Sequence, residues 1–263
     1  MKSETEIDAA ELADAVTVQT YLRSRAGQGA QFGPFAILFS RGDRSPYANY
    51  AIPADAADPS PAEIAALEAA FHARGRTPRL EYAPAAAPRV EAALAAAGFT
   101  VELRPPLMTC RAAADAPGPE GFELAFIDDP ERLSLAVAVA AEAFGGEEAD
   151  ARWLLSLTAK GGRVLAAIAE AGGALVGVGA LTPPMAGVAE VVGVGVRPAF
   201  RRRGLAQALA ARLAAEAIRT GCALTFLSAA GEAQAAIYAR AGFVRRSPML
   251  FISRPAIGEG APG

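Results

Sequence analysis

The sequence predicts an α/β (α+β) fold: a mixed, mostly antiparallel sheet with helices on both faces, built as two similar halves. Three observations carry this. Apolar strand-like runs alternate with helical patterns along the 263 residues. Leu80–Phe99, LEYAPAAAPRVEAALAAAGF, aligns without a gap with Leu224–Phe243, LTFLSAAGEAQAAIYARAGF, and each copy reads strand, loop, helix, Gly-Phe. Each copy is then followed by a short strand opening on proline, PPLMTC in the first and SPMLFI in the second. Small, Pro and Gly residues cluster in AAADAPGPEG at 112–121, a linker pattern that sets the expected domains at 1–115 and 116–263.

The elements follow in order. DAAELADAVTVQTYLRSRA places apolar residues at helical spacing and reads as an extra helix. FGPFAILFS and YANYAIPA read as strands. PSPAEIAALEAAFHARG is a helix with Ser60 as N-cap, Pro61 at the first position and Glu63 completing a capping box. The second half opens with the strand FELAFI and the helix ERLSLAVAVAAEAF. ADARWLLSLTAK follows, and then RVLAAIAE and ALVGVGALT, strands joined by the Ala-Gly-Gly turn at 171–173. AEVVGVGV is a strand, GLAQALAARLAAEAIRTG a helix with Gly221 past its end, and ALTFLSA a strand.

Composition excludes several kinds of chemistry. With 52% hydrophobic residues the chain has ample core. Its first residues are acidic and polar without an apolar run, which reads as a soluble, cytoplasmic protein without membrane partners. His72, in a helical pattern, is the sole histidine, so no His-dependent triad and no multi-histidine metal site can be assembled. Cys110 and Cys222 lie in strand-like stretches with no CxxC spacing, which argues against zinc and against a disulfide. A formal net charge of −3 argues against general nucleic-acid binding.

One stretch goes against that acidity: RPAFRRRGLAQAL, 197–209, sets three arginines and a glycine between a strand and a helix. The first turn of a helix carries unpaired N–H groups and about half a positive charge, and glycine lets the backbone approach an anion without a Cβ in the way. Such an arrangement suits a pyrophosphate. No GxxxxGK[ST] is present, and the glycines of GGALVGVGA miss the GxGxxG spacing and precede no helix.

Here the sequence resembles the GCN5-related N-acetyltransferase (GNAT) superfamily. The resemblance rests on an apolar strand followed by [Q/R]-x-x-G-x-[G/A], here Arg201, Arg202, Arg203, Gly204, Leu205 and Ala206, and on IYARAGF, which matches the family's Tyr-x-x-x-Gly-Phe ending. It covers 122–254. The first half resembles a truncated, degenerate copy, as in tandem GNAT proteins with one working half: IPADAADPSP stands in place of the arginine loop and Leu94 in place of Tyr238.

The resemblance implies acetyl-CoA as co-substrate, bound by the second half alone, no metal, and an amine acceptor, either a small molecule or a peptide. It implies that backbone groups of Val194, Gly195 and Val196 pair with the pantetheine arm where two strands splay, and that the amides of Arg202 through Gln207 hold the pyrophosphate. Tyr238 falls where the family's tyrosine donates to the departing thiolate. A tyrosine near pKa 10 facing a thiolate near 8.5 is about 2 kcal/mol short of full transfer, so a hydrogen bond that strengthens as charge develops is expected. Glu190 matches the spacing of the family's base. With an ordinary pKa it would fall about 8 kcal/mol short of stripping an alkylammonium, which leaves action through water, a raised pKa, or a more acidic adduct. Phe144 and Trp153 fall where the family builds its acceptor pocket. Gly231 stands where many members have asparagine, leaving Ser228 as the substitute contact to the pantetheine arm. The implied reaction is direct attack of the amine in a ternary complex. A non-catalytic acyl-CoA sensor or scaffold is the alternative. The first half is left two roles, closing one end of the pocket or supplying a homodimer surface.

Overall fold

The computed structural model describes residues 7–26, 31–40, 44–112 and 117–254. Part of the expected linker, 113–116, lies outside the described residues. The chain divides into two compact units, Met1–Leu107 with Arg246–Gly263, and Met108–Arg245. The sequence expectation divides the chain once, between 115 and 116; these units instead interleave, because the last strand of each half lies in the other half's sheet.

The first unit contains α1 (Ala9–Ala26), β1 (Gln31–Phe32), β2 (Phe35–Phe39), β3 (Asn49–Pro53), α2 (Pro61–His72), β4 (Arg79–Tyr82), α3 (Val90–Ala96) and β5 (Thr100–Leu103). With β6 (Leu107–Cys110) the chain enters the second sheet. There follow β7 (Phe122–Ile127), α4 (Pro130–Phe144), α5 (Glu148–Ala151), α6 (Trp153–Ala159), β8 (Arg163–Ala169), β9 (Leu175–Leu181), β10 (Val188–Val196), α7 (Leu205–Arg219), β11 (Leu224–Ser228), α8 (Glu232–Arg240) and β12 (Val244–Arg245). β13 (Leu250–Ser253) returns to the first sheet.

The first sheet runs β1-β2-β3-β4-β13-β5 and the second β12-β6-β11-β10-β9-β8-β7. β13 lies antiparallel between β4 and β5, with Ile252 opposite Leu80 and Val101. β6 takes the matching place beside β12, with Thr109 opposite Val244. Each sheet has a parallel pair, β3 with β4 and β10 with β11, in the same position of the fold. The FGPFAILFS strand is split: Gly33, at φ +55, and Pro34 turn the chain between β1 and β2. Only glycine adopts that conformation freely.

In the first unit the expected capping box is present, with Ser60 N donating to Glu63 Oε2 at 2.8 Å and Glu63 N to Ser60 Oγ at 3.3 Å. The ends of the parallel pair are joined by α1. Gln19 is fully buried; its Nε2 donates to Pro53 O at 3.1 Å and its Oε1 accepts from Ala83 N at 3.1 Å. Arg23 donates beside it to Pro34 O and Ile52 O, both at 2.9 Å.

The second unit has helices on both faces of its sheet. α7 buries Leu205, Leu209, Leu213 and Ala217 with Phe243 and the β6 residues Met108 and Cys110. α4 and α6 bury Val137, Ala140, Leu154 and Leu157 against Val164, Val178 and Ala180 on the other face. That apolar burial, at about 25 cal/mol per Å², is what holds β10 between its two layers.

Candidate acyl-transfer site

The site is built on β10. On one side it pairs with β11 at only three positions, Val188–Leu224, Ala189–Thr225 and Glu190–Phe226, and beyond Glu190 that edge is unpaired. On the other side the register to β9 shifts between Val192–Ala180 and Gly195–Val178, so one extra residue stands in β10. This is a β-bulge, which bends the strand and frees backbone groups from the ladder. Gly193, at φ +61, makes it possible. Val194, Gly195 and Val196 therefore lie on the stretch whose edge is open, and Ser228 ends β11 across the splay.

The strand leads through a short 3-10 turn, Pro198–Phe200, into the arginine loop. Arg202 has φ +65 and Gly204 φ +80. For a non-glycine this costs of order 1–3 kcal/mol, which the surrounding structure must offset. Alternating left-handed positions turn successive N–H groups toward a common point, the geometry of an anion nest. Gly204 caps α7 with no side-chain bond, and Ala208 N is bonded back to Gly204 O at 3.0 Å. The N–H groups of the preceding turn, Leu205, Ala206 and Gln207, precede any intrahelical partner. All of 201–204 is exposed.

The three arginines have separate placements. Arg201 turns inward: its Nε donates to Val196 O at 3.2 Å, its Nη2 to Ala143 O at 2.8 Å, and its amide to Pro198 O at 3.3 Å. It braces the loop against the ends of β10 and α4. Arg203 lies over Phe200 and Phe122, 5.4 and 6.0 Å from the ring centroids. Arg202 is exposed beside its strained backbone.

Tyr238 stands on α8, half-buried against the α7 face of the core, its ring edge-to-face with Phe243 at 6.3 Å. Burial raises its phenol above the usual range. Gln207 Nε2 donates to Arg240 O at 3.3 Å, tying the loop helix to the helix that carries Tyr238. Glu190 is half-buried at the point where the splay begins. Its backbone is clasped by Thr182, whose Oγ1 accepts from Glu190 N at 2.8 Å and whose N donates to Glu190 O at 3.0 Å.

Phe144, at the end of α4, and Trp153, at the start of α6, reach β10 through its glycines. A Cβ at Gly195 would lie 3.3 Å from the Phe144 ring, and one at Gly193 only 2.5 Å from Trp153 Cη2. The structure thus brings Phe144, Trp153, Val194, Gly195 and Val196 together. Gly193, Thr182 and Gln207's helix tie were not singled out by sequence reasoning. An isolated glycine inside a strand pattern is the signal for a bulge, and VVGVGV carries two.

Cys110 and Cys222 are buried and burial raises both thiols, which makes them unreactive. Among the described residues no group of three His, Cys, Asp or Glu side chains could hold a metal ion, and no helix is long and apolar enough to cross a membrane.

Residues 132–243 match the model of the Acetyltransferase (GNAT) family. A GCN5-related N-acetyltransferase from Kribbella flavida is 25% identical with a TM-score of 0.75, over 92% of this chain and 96% of that one. A GCN5-related N-acetyltransferase from Sphaerobacter thermophilus shares the fold at 17% identity and a TM-score of 0.62, over 94% and 93%. So does a tandem GNAT protein from the clavulanic acid biosynthesis pathway, at 17% identity and 0.55, over 97% and 92%. No curated protein matches.

Proposed function

We propose that the protein is an N-acetyltransferase that moves the acetyl group of acetyl-CoA to an amine by direct attack in a ternary complex. The observation that carries this is the exposed turn at 202–204, with Arg202 and Gly204 left-handed at the start of α7, following a strand whose pairing to β11 ends at Glu190. A diphosphate fits the nest, with charge-assisted bonds from the exposed Arg202 side chain. The pantetheine arm fits the open backbone of Val194–Val196, with Ser228 opposite. Bound acetyl-CoA supplies the acyl carbonyl under attack and the thiolate that leaves.

Tyr238 holds its proton and donates a hydrogen bond toward the departing sulfur. Its raised pKa makes early transfer of that proton unfavourable and keeps the donor neutral throughout the working range. Glu190 accepts the proton shed by the attacking amine, directly or through water, from a position fixed by Thr182. Phe144 and Trp153 wall the acceptor side.

The first unit binds no cofactor in this reading. Its α2 N-terminus is already capped by Ser60 and Glu63, and Gln19 fills the gap between its parallel strands. It is a degenerate copy whose anion and arm positions are taken by the chain's own groups.

Thiol release from acetyl-CoA, measured across a panel of primary amines, tests the activity. The expected result is amine-dependent release that follows ternary-complex kinetics. Tight binding with no turnover on any amine would support the sensor alternative and reject catalysis.

A further inference from the structure

We infer that Trp153 fixes the length of the acyl group this protein accepts. The inference rests on the cofactor reading above and extends it to the acyl end of the thioester. Gly193 and Gly195 stand two residues apart on β10. A side chain at Gly193 would meet Trp153, whose Cη2 and Cζ2 lie 2.5 and 2.6 Å from a Cβ there; one at Gly195 would meet Ala143 Cβ at 2.9 Å and the Phe144 ring, whose Cε2 and Cζ lie at 3.3 Å. The two glycines thus let two rings press onto the unpaired stretch of strand.

The rings differ in freedom. Phe144 is 60% exposed and sits nearer the arginine loop. Trp153 is half-buried and packs with Val192 on the core formed by α4 and α6, so it has little room to withdraw. It also stands at the bulge residue nearest Glu190–Phe226, where β10 and β11 come together. Trp153 therefore covers the narrow end of the splay. A short acyl group fits in front of the indole, and added methylenes run into it.

Trp153 is the sole tryptophan of the chain, so its emission reports on this spot alone. Titrating CoA, acetyl-CoA, butyryl-CoA and hexanoyl-CoA into the full chain, followed by Trp153 fluorescence and by calorimetry, tests the inference. Acetyl-CoA should change the emission beyond what CoA does. Affinity should fall by about tenfold or more from acetyl to hexanoyl, since excess methylenes against a fixed wall discriminate roughly 10- to 200-fold. Trp153→Ala should compress that difference to within about threefold. Trp153→Phe, which retains most of the packing, should show a smaller relaxation with an unaltered melting curve. Variants that bind CoA yet discriminate by chain length as the parent does would overturn the inference alone. Failure of the parent to bind any of the four ligands would overturn the cofactor reading together with it.

Discussion

Tyr238 shows how burial tunes one residue. Desolvation penalises the phenolate, so the group stays protonated past the usual tyrosine range. A raised folded-state pKa means that its stabilising share is complete below the unfolded value near 10 and is lost as pH rises through the folded value. Any alkaline loss of kcat caused by its ionisation should therefore come at a higher pH than an ordinary tyrosine would give. Tyr238→Phe should lower kcat by roughly 10²-fold or less, with little change in acetyl-CoA affinity, because one hydrogen-bonding acid supplies about that much. A pH–rate series on both proteins checks this, and an unchanged kcat removes the acid role. The residue was legible because IYARAGF places it; its raised pKa was not, since that depends on burial against Phe243 and the α7 core. Arg201 shows the reverse. The triplet reads as three equivalent charges, but only the fold shows that Arg201 is spent on Val196 O and Ala143 O.

Among elements, α1 departs most from what its pattern suggests. The sequence marks it as an extra helix with apolar residues at helical spacing. The structure adds that Gln19, a polar residue with no special local signature, bridges the ends of β3 and β4. Gln19→Ala would orphan Pro53 O and Ala83 N in a buried site, at roughly 1–3 kcal/mol for each group. Thermal melting should drop by several degrees, and an unchanged midpoint would show that the bridge contributes nothing. Elements defined by local chemistry were read with nearly correct limits: the Ser60–Glu63 box starts α2, and FELAFI is β7, Phe122–Ile127. The FGPFAILFS strand was misjudged at a Gly-Pro pair that already carried a turn signal.

At the scale of the whole molecule, the exchange of β6 and β13 was invisible to sequence reasoning. PPLMTC and SPMLFI carry the same pattern whichever sheet they join, and periodicity records which residues are buried, not which partner buries them. Pro105 and Pro106 stiffen the link from β5 to β6. A chain of 116–263 alone lacks β6 and carries β13 without β4 and β5. It should show no cooperative melting transition, and co-expression with 1–115 should restore one; a lone fragment melting like the full chain would refute this. The nest was legible because a glycine after arginines at a strand-to-helix turn has few other uses, whereas the bulge that opens β10 appears only once its register to β9 is known. The most direct test is calorimetric titration of CoA into the parent and Gly204→Glu proteins. The account predicts a single CoA per parent chain and no binding to the variant, with the variant's circular dichroism retained. A variant that binds CoA as tightly as the parent would contradict it.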